Sequence, residues 1–399
     1  MTLDAPHRRK GRRAAAASNA GRLGIRGRVA ALRGGFTQRP VEKIAVHAYA
    51  IAVWVVAHVP PGLAGWVIGT AGQAGYLLWS TKRAWSNANF GRVTGLPPGD
   101  LRVRRLALSA YREYGRYLVE TMRLESLSPD DAIRHVVQTD LDRIEALWRG
   151  SPGGLIFALG HVGNNEAVAA GVANRGWPIS VVADDSSFPE MFERFRRLRE
   201  AWGVHVIPWR NLREIYAVLK RREMLALLVD WGYRADGIPV RLFGAWTTLP
   251  AGPATLAAKT QSVIVPVAIR RGADDMFHVS FAPVIEVASS AEADLARATQ
   301  AVADALEASI AAVPAQWYSF KPMWPATKAE ADALAARAAQ ILGGTTEVDA
   351  DTATEAATAP GAASLPASGG AVDGAATAAA TETPGTLEIA GRSPEPAAS

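Results

Sequence analysis

The sequence predicts an α/β fold with a mostly parallel central sheet flanked by helices on both faces. Two patterns carry that expectation. Apolar runs at Leu155–Leu159, Ile179–Ala183, Val204–Ile207, Leu225–Val229 and Val263–Ile269 alternate with helical segments near 164–175, 189–202, 211–222 and 252–260. Runs this uniformly apolar read as strands buried on both faces, the signature of parallel sheets with helical crossovers. The second pattern lies at the amino end, where 38 residues from Ile44 to Thr81 contain no Asp, Glu, Lys or Arg. That stretch reads as an apolar helical hairpin appended to the sheet. Between 100 and about 150 the apolar spacing is helical; Phe277–Phe281 adds a strand, and Ala291–Ala312 a long amphipathic helix.

The 399 residues, 49% of them apolar, suffice for a sizeable core. The chain has no cysteine, which excludes disulfides, thiolate metal sites and a thiol nucleophile. Any catalysis rests on His, carboxylates, hydroxyls, Lys or Arg. The net charge of +5 conceals a segregation: residues 1–40 hold ten Lys/Arg and one acid, Asp4, whereas residues 344–399 hold eight acids and one base, Arg392. The expected organisation is a basic disordered arm over 1–40, a folded domain over 41–343, and a disordered Ala/Thr/Pro-rich acidic tail over 344–399, too poor in large apolar residues to offset its ordering entropy.

The basic arm is either simply solvated or attracted to an anionic membrane surface, at about 1 kcal/mol per basic residue. No apolar segment follows its paired arginines until after residue 43, so an export signal is not expected. No recognition motif supports nucleic-acid binding. Within 44–81, His47 and His58 interrupt the apolar run, Pro60-Pro61-Gly62 breaks it, and five glycines between Gly62 and Gly75 loosen its second half. Two short helices joined at the proline pair are expected, packed on the core or lying in a membrane interface, with a true span as the alternative.

Chemistry concentrates at Leu155-Ile-Phe-Ala-Leu-Gly-His161-Val-Gly-Asn164-Asn165-Glu166. A buried strand ends in glycine and delivers His161 to the carboxyl edge of the sheet, where open α/β folds bind ligands. Asn164 is placed to cap the next helix and Glu166 falls in its first turn, from which a carboxylate could fold back and orient the imidazole. A strand-end histidine that merely satisfies hydrogen bonds, beside an ordinary first-turn acid, is the plainer alternative. Gly252-Pro253 opens a helix whose backbone amides could face a reacting carbonyl. His47, His58, His135, His205 and His278 lack an acid at a useful spacing, and Trp317, Tyr318 and Trp324 read as packing or interfacial groups.

These residues resemble bacterial lysophospholipid-type acyltransferases of the lipid A lauroyl and phosphatidylinositol mannoside branch. His161-x4-Glu166, with Gly160 before it and Gly163-Asn164 inside it, matches the family's His-x4-Asp/Glu pattern, although Asn165 stands where the family usually has an aromatic. The likeness continues through Phe188-Pro-Glu to Arg199, Leu228-Val-Asp230, Phe243-Gly244, Leu249-Pro-Ala-Gly-Pro253-Ala, Pro266-Val267, Gln316-Trp317-Tyr318 and Pro322-x-Trp324, covering roughly residues 44–326.

The resemblance implies transfer of a palmitoyl-like chain from acyl-CoA to a mannose hydroxyl of phosphatidylinositol mannoside, with His161 as base oriented by Glu166. Acyl-CoA is a co-substrate, and no cofactor or metal is implied. It further implies a peripheral or monotopic location on the cytoplasmic face of the cell membrane. By position, Arg199 matches an arginine near the acceptor or the carrier phosphates and Asp230 a carboxylate at the next strand end. Without the resemblance these read as a surface residue of a basic helix and a capping acid. Asn164, Gly252 and Pro253 complete the expected substrate-binding set. Lipid A acylation from an acyl carrier protein is the nearest alternative, and a non-catalytic membrane scaffold an alternative of another class. Removing residues 1–40 is expected to weaken binding to anionic vesicles in a sedimentation assay while activity on detergent-dispersed substrate persists. Equal vesicle binding by the truncated chain would eliminate the membrane role of the arm.

Overall fold

The computed structural model describes residues 42–343, apart from 174, 186 and 187. The basic arm and the acidic tail expected from composition lie outside the described residues.

In chain order the elements are α1 (42–58), α2 (Pro61–Leu78), α3 (Ser80–Thr94), α4 (Leu101–Leu124), α5 (Pro129–Ile133), β1 (Val136–Gln138), α6 (Leu141–Gly150), β2 (Leu155–Leu159), α7 (Asn165–Ala173), β3 (Ile179–Ala183), α8 (Pro189–Ala201), β4 (His205–Pro208), α9 (Leu212–Lys220), β5 (Met224–Leu228), β6 (Ile238–Leu242), β7 (Ala245–Leu249), α10 (Gly252–Thr260), β8 (Val263–Arg271), β9 (Phe277–Phe281), α11 (Glu292–Ala312) and α12 (Lys328–Leu342). Among the described residues, seven strands form one sheet in the order β1-β9-β8-β2-β5-β3-β4. All neighbours run parallel except β8 and β9. The expected architecture is therefore the one observed, with β4 and β5 displaced by a single residue.

Strand β2 shows why the pattern was readable. Its side chains alternate between two cores. Ile156 and Ala158 join one cluster with Ile215 and Leu219 of α9, Leu256 of α10 and Leu306 of α11. Leu155 and Phe157 join the other with Ile144 of α6 and Val168 and Val172 of α7. Helices cover both faces, so no position on the strand is left for a polar residue.

Three strands and two helices, α3 and α12, escaped the sequence reading. β1 interrupts the region read as helical, and its three residues are too few to display a period. β6 and β7 pair as an antiparallel hairpin with Leu242 opposite Ala245. Phe243 and Gly244 between them have φ of 49° and 68°, the two-residue geometry that matches strand twist. α12 is bounded at both ends: Thr327 and Glu330 form a reciprocal capping box at its start, and Gly343 closes it at φ 69°.

The amino-terminal hairpin forms as expected, with Pro61 in the first turn of α2. Among the described residues, no helix is long and apolar enough to cross a membrane. α1 packs through Tyr49 and Val56 against Val119 and Met122 of α4 and Met191 of α8. α2 lies directly on α4, and the glycines are the reason: a Cβ on Gly115 would lie 2.6 Å from the Gly69 Cα. Gly115→Ala should therefore separate the two helices and cost about 1–3 kcal/mol, read as a lower urea midpoint; an unchanged midpoint would mean that this contact does not hold the hairpin in place.

Candidate active site

His161 is presented by a turn that leaves no room for side chains on its flanks. A Cβ on Gly160 would meet Leu306 Cδ1 at 2.5 Å. Gly163 has φ +67°, and a Cβ there would lie 2.6 Å from the Ile269 carbonyl oxygen, so glycine is required on both counts. The turn is pinned to the segment after α11 by backbone bonds from Gly163 N to Gln316 O (3.1 Å) and from Tyr318 N to His161 O (2.8 Å). Asn164 caps α7 through its side-chain oxygen, which accepts from Ala167 N at 3.1 Å.

The partner of the imidazole is Asp230, at the end of β5. His161 Nδ1 lies 2.6 Å from Asp230 Oδ1, and His161 N donates to Oδ2 at 2.9 Å. Trp317 Nε1 donates to the same Oδ2 at 2.9 Å. A carboxylate facing Nδ1 makes that nitrogen the protonated one and leaves Nε2 as the basic nitrogen. Burial by itself pushes the Asp230 carboxyl up, but the His161 charge and the hydrogen bonds from the His161 ring and amide and from Trp317 outweigh it and hold the group below its ordinary range.

The expectation that Glu166 orients His161 is corrected by this geometry. Glu166 instead receives Arg199 in a two-pronged pair, Nε to Oε2 at 2.9 Å and Nη2 to Oε1 at 2.5 Å. The turn at Gly163 aims the ring toward the end of β5, whereas α8 brings a largely buried guanidinium to the first turn of α7, where the two opposite charges pair. Burial disfavours the charge on Arg199, and the Glu166 carboxylate more than compensates, raising it further. Tyr117 of α4 is pushed up by burial and then by Glu166. Arg199 is thus neither a free surface residue nor remote from the site, and Asp230 is more than a capping acid.

Gly252 and Pro253 are not brought to this site. They open α10, which packs with α9 and α11 on the opposite face of the sheet from α7. His278, expected to lack an acid, pairs with Asp274 at 2.9 Å. Trp317, expected to be a packing or interfacial group, also donates to Asp230, a bond with no signal in the sequence beyond the Gln316-Trp317-Tyr318 motif. A second network also went unread. Arg271 at the end of β8, 2% exposed in its side chain, donates to Glu113 (2.6 Å) and Glu120 (2.7 Å) of α4, and Glu120 receives Asn164 Nδ2 at 3.3 Å. It ties α4 to the cap of α7, and only the fold brings these distant positions together.

His161, Glu166, Arg199 and Asp230 line one cavity of about 320 Å³. From them an apolar arm runs between α7 and the sheet past Phe157, Val168, Val181 and Ala226. A second apolar region lies along α2 and α4, near Gly72, Gly75 and Tyr114. Lys82 and Lys321 also line the cavity, their ammonium groups 5.1 Å from the Trp85 ring centre and 5.8 Å from that of Trp231. Among the described residues, no group of three or more His, Asp or Glu side chains is arranged to hold a metal ion.

Asp230→Asn would set an amide NH2 or a weaker acceptor against three donors. It is expected to lower kcat about 10³–10⁴-fold with little change in KM, measured as acyl-transfer rate. Because the folded carboxyl is held low, its contribution to stability is present above the ordinary carboxylate range, near pH ~4, and is lost as pH falls through the folded value. The variant should lack that acid limb in urea midpoints measured against pH.

The family described as bacterial lipid A biosynthesis acyltransferase matches residues 37–325. A protein of Mycolicibacterium smegmatis named phosphatidylinositol mannoside acyltransferase is 30% identical over 243 residues, covering 59% of this chain and 77% of that one. A Mycobacterium tuberculosis protein of the same name is 30% identical over 250 residues, covering 61% and 77%. The matched span takes in the whole sheet and every residue around His161, and the chain belongs to the bacterial lipid A biosynthesis acyltransferase family.

Proposed function

We propose that the protein transfers a palmitoyl-like acyl chain from acyl-CoA to a mannose hydroxyl of a phosphatidylinositol mannoside, working peripherally on the cytoplasmic face of the cell membrane. The observation that carries this reading is a strand-end histidine, backed by a buried carboxylate, on the wall of a long apolar cavity. An apolar arm of that kind suits a fatty chain, and a base beside it suits the activation of a hydroxyl. The names of the mycobacterial relatives support the mannoside acceptor.

His161 Nε2 takes the hydroxyl proton as the sugar oxygen attacks the thioester carbonyl. Asp230 stabilises the imidazolium formed. The carbon–sulfur bond of the tetrahedral intermediate then breaks, and the thiolate leaves with the imidazolium as its proton source, giving an ester and a free thiol. A thiol with a pKa near ~8.5 departs readily without a strong acid. No cofactor is needed in this scheme, because the thioester carries the activation. The Glu166–Arg199 pair lines the cavity with His161, where the carboxylate can accept from sugar hydroxyls. Lys82 and Lys321 favour a phosphate-bearing carrier.

Support for the membrane location comes from the surface of the hairpin. Trp54 of α1 and Trp66 of α2 are 63% and 50% exposed, and Ile44, Ile51, Leu63, Val67 and Leu78 are exposed beside them. An apolar face of that extent, with tryptophans in it, suits a lipid interface. The family description favours a second reading, acylation of a lipid A precursor from an acyl carrier protein, which the same cavity could serve.

The deciding experiment is mass spectrometry of lipid products after incubation with palmitoyl-CoA and a phosphatidylinositol mannoside, for the intact protein and for His161→Ala. An acyl-sized mass gain with the intact protein only is the expected result. Gain with both removes His161 as the base, and gain only with acyl carrier protein and a lipid A precursor moves the chain to the second reading. No gain on any acceptor returns it to a scaffold.

A further inference from the structure

The apolar arm of the cavity has an identifiable end. Its lining residues on β2 and β5 stop at Phe157 and Ala226, but on the β3 side they continue to Ile179 and then to Trp177. Ile179 pairs with Met224, and Met224 with Leu155, so Ile179 marks the amino-terminal edge of the sheet and Trp177 lies beyond it. The Trp177 side chain is buried, 6% exposed, with Arg175 and Trp148 packed on its ring. Its own backbone carbonyl accepts from Ile179 N at 2.9 Å. The Arg175 guanidinium sits 5.6 Å from the ring centre. Behind it Trp148 of α6 packs with ring centres 6.4 Å apart at 52°, and that indole is anchored by a 2.5 Å bond to the Arg222 carbonyl.

We infer that Trp177, buttressed by Trp148, is the floor of the acyl site and sets the longest chain the enzyme accepts. The inference rests on the acyl-transfer reading and adds to it the residue that measures the substrate. Strand β2 covers about 13 Å from Leu155 to Leu159 at ~3.3 Å per residue, and the Gly160–His161 turn carries the base beyond its end, so the arm is on the scale of a long fatty chain. A chain of that length entering beside His161 therefore reaches Trp177 with its methyl end. A longer one must bend, displace a doubly packed indole, or leave methylenes in water. Each methylene left unburied forfeits about 0.8 kcal/mol, so roughly two of them reduce affinity by about tenfold.

The test is calorimetric binding of an S-alkyl phosphopantetheine series, from dodecyl to eicosyl, to the full chain. These thioethers cannot react, and they carry the arm common to coenzyme A and acyl carrier protein. For the wild type, affinity should rise about fourfold per methylene and break near hexadecyl. In Trp177→Ala the break should move to longer chains, with the ratio of eicosyl to hexadecyl affinity rising at least tenfold. Trp177→Leu, a milder change for a variant that must remain folded, should move it partway. Acyl transfer from mixed palmitoyl and arachidoyl thioesters should shift in the same sense. A break at the same length in a folded Trp177 variant overturns the assignment while leaving acyl transfer intact. Failure of the wild type to bind any member of the series overturns both the floor and the acyl-transfer reading.

Discussion

Asp230 holds the site together. Its carboxylate is almost fully buried at the end of β5, and three donors converge on it: the His161 amide, the His161 ring and the Trp317 indole. They come from two distant parts of the chain, and the carboxylate from a third. The His161 turn continues β2, Asp230 ends the neighbouring strand, and Trp317 arrives after α11 from the far end of the domain. A buried carboxylate is tolerable only where donors replace its lost water, so the site cannot assemble unless all three segments dock. The same requirement keeps the base in one tautomer, since any rotation of the ring would strand a buried charge.

Around that carboxylate the structure separates its polar demands from its apolar ones. Glu166 with Arg199, and Arg271 with Glu113 and Glu120, are ion pairs that knit α7 to α8 and β8 to α4 around the His161 turn. Below them the cavity wall is aliphatic and aromatic, supplied by one face of the sheet and by positions 168, 169 and 172 of α7, which share a single helical face. Close contact between α2 and α4 through Gly69 and Gly115 brings the apolar hairpin up to the same cavity. A carboxylate-backed histidine, an apolar channel and an exposed apolar surface thus meet on one side of one sheet.

How much was legible depended on whether the physics was local. β2, β3 and β9 were readable to the residue because burial on both faces demands an unbroken apolar run, or an alternating one, and local composition expresses that directly. His161 and the cap at Asn164 were legible for the same reason, as strand end and helix start are sequence features. β1 was hidden because three residues cannot show a period, and the β6–β7 hairpin because its turn uses Phe243 at positive φ, which no residue preference announces.

The alternation of the apolar strands with their helices, the placement of His161 at a strand end and the presence of an unusually apolar hairpin were determined by the sequence alone, since each follows from residues near one another in the chain. Which carboxylate faces the imidazole was decided only by the tertiary structure. Glu166 is five positions from His161 and Asp230 sixty-nine, and separation along the chain favours the former. Parallel pairing of β2 with β5 reverses that preference by placing the two strand ends side by side, while the helix carrying Arg199 claims Glu166 for itself. Hydrogen-bond partnership is settled by distance in space, and in a parallel sheet neighbours in space are, by construction, remote in sequence.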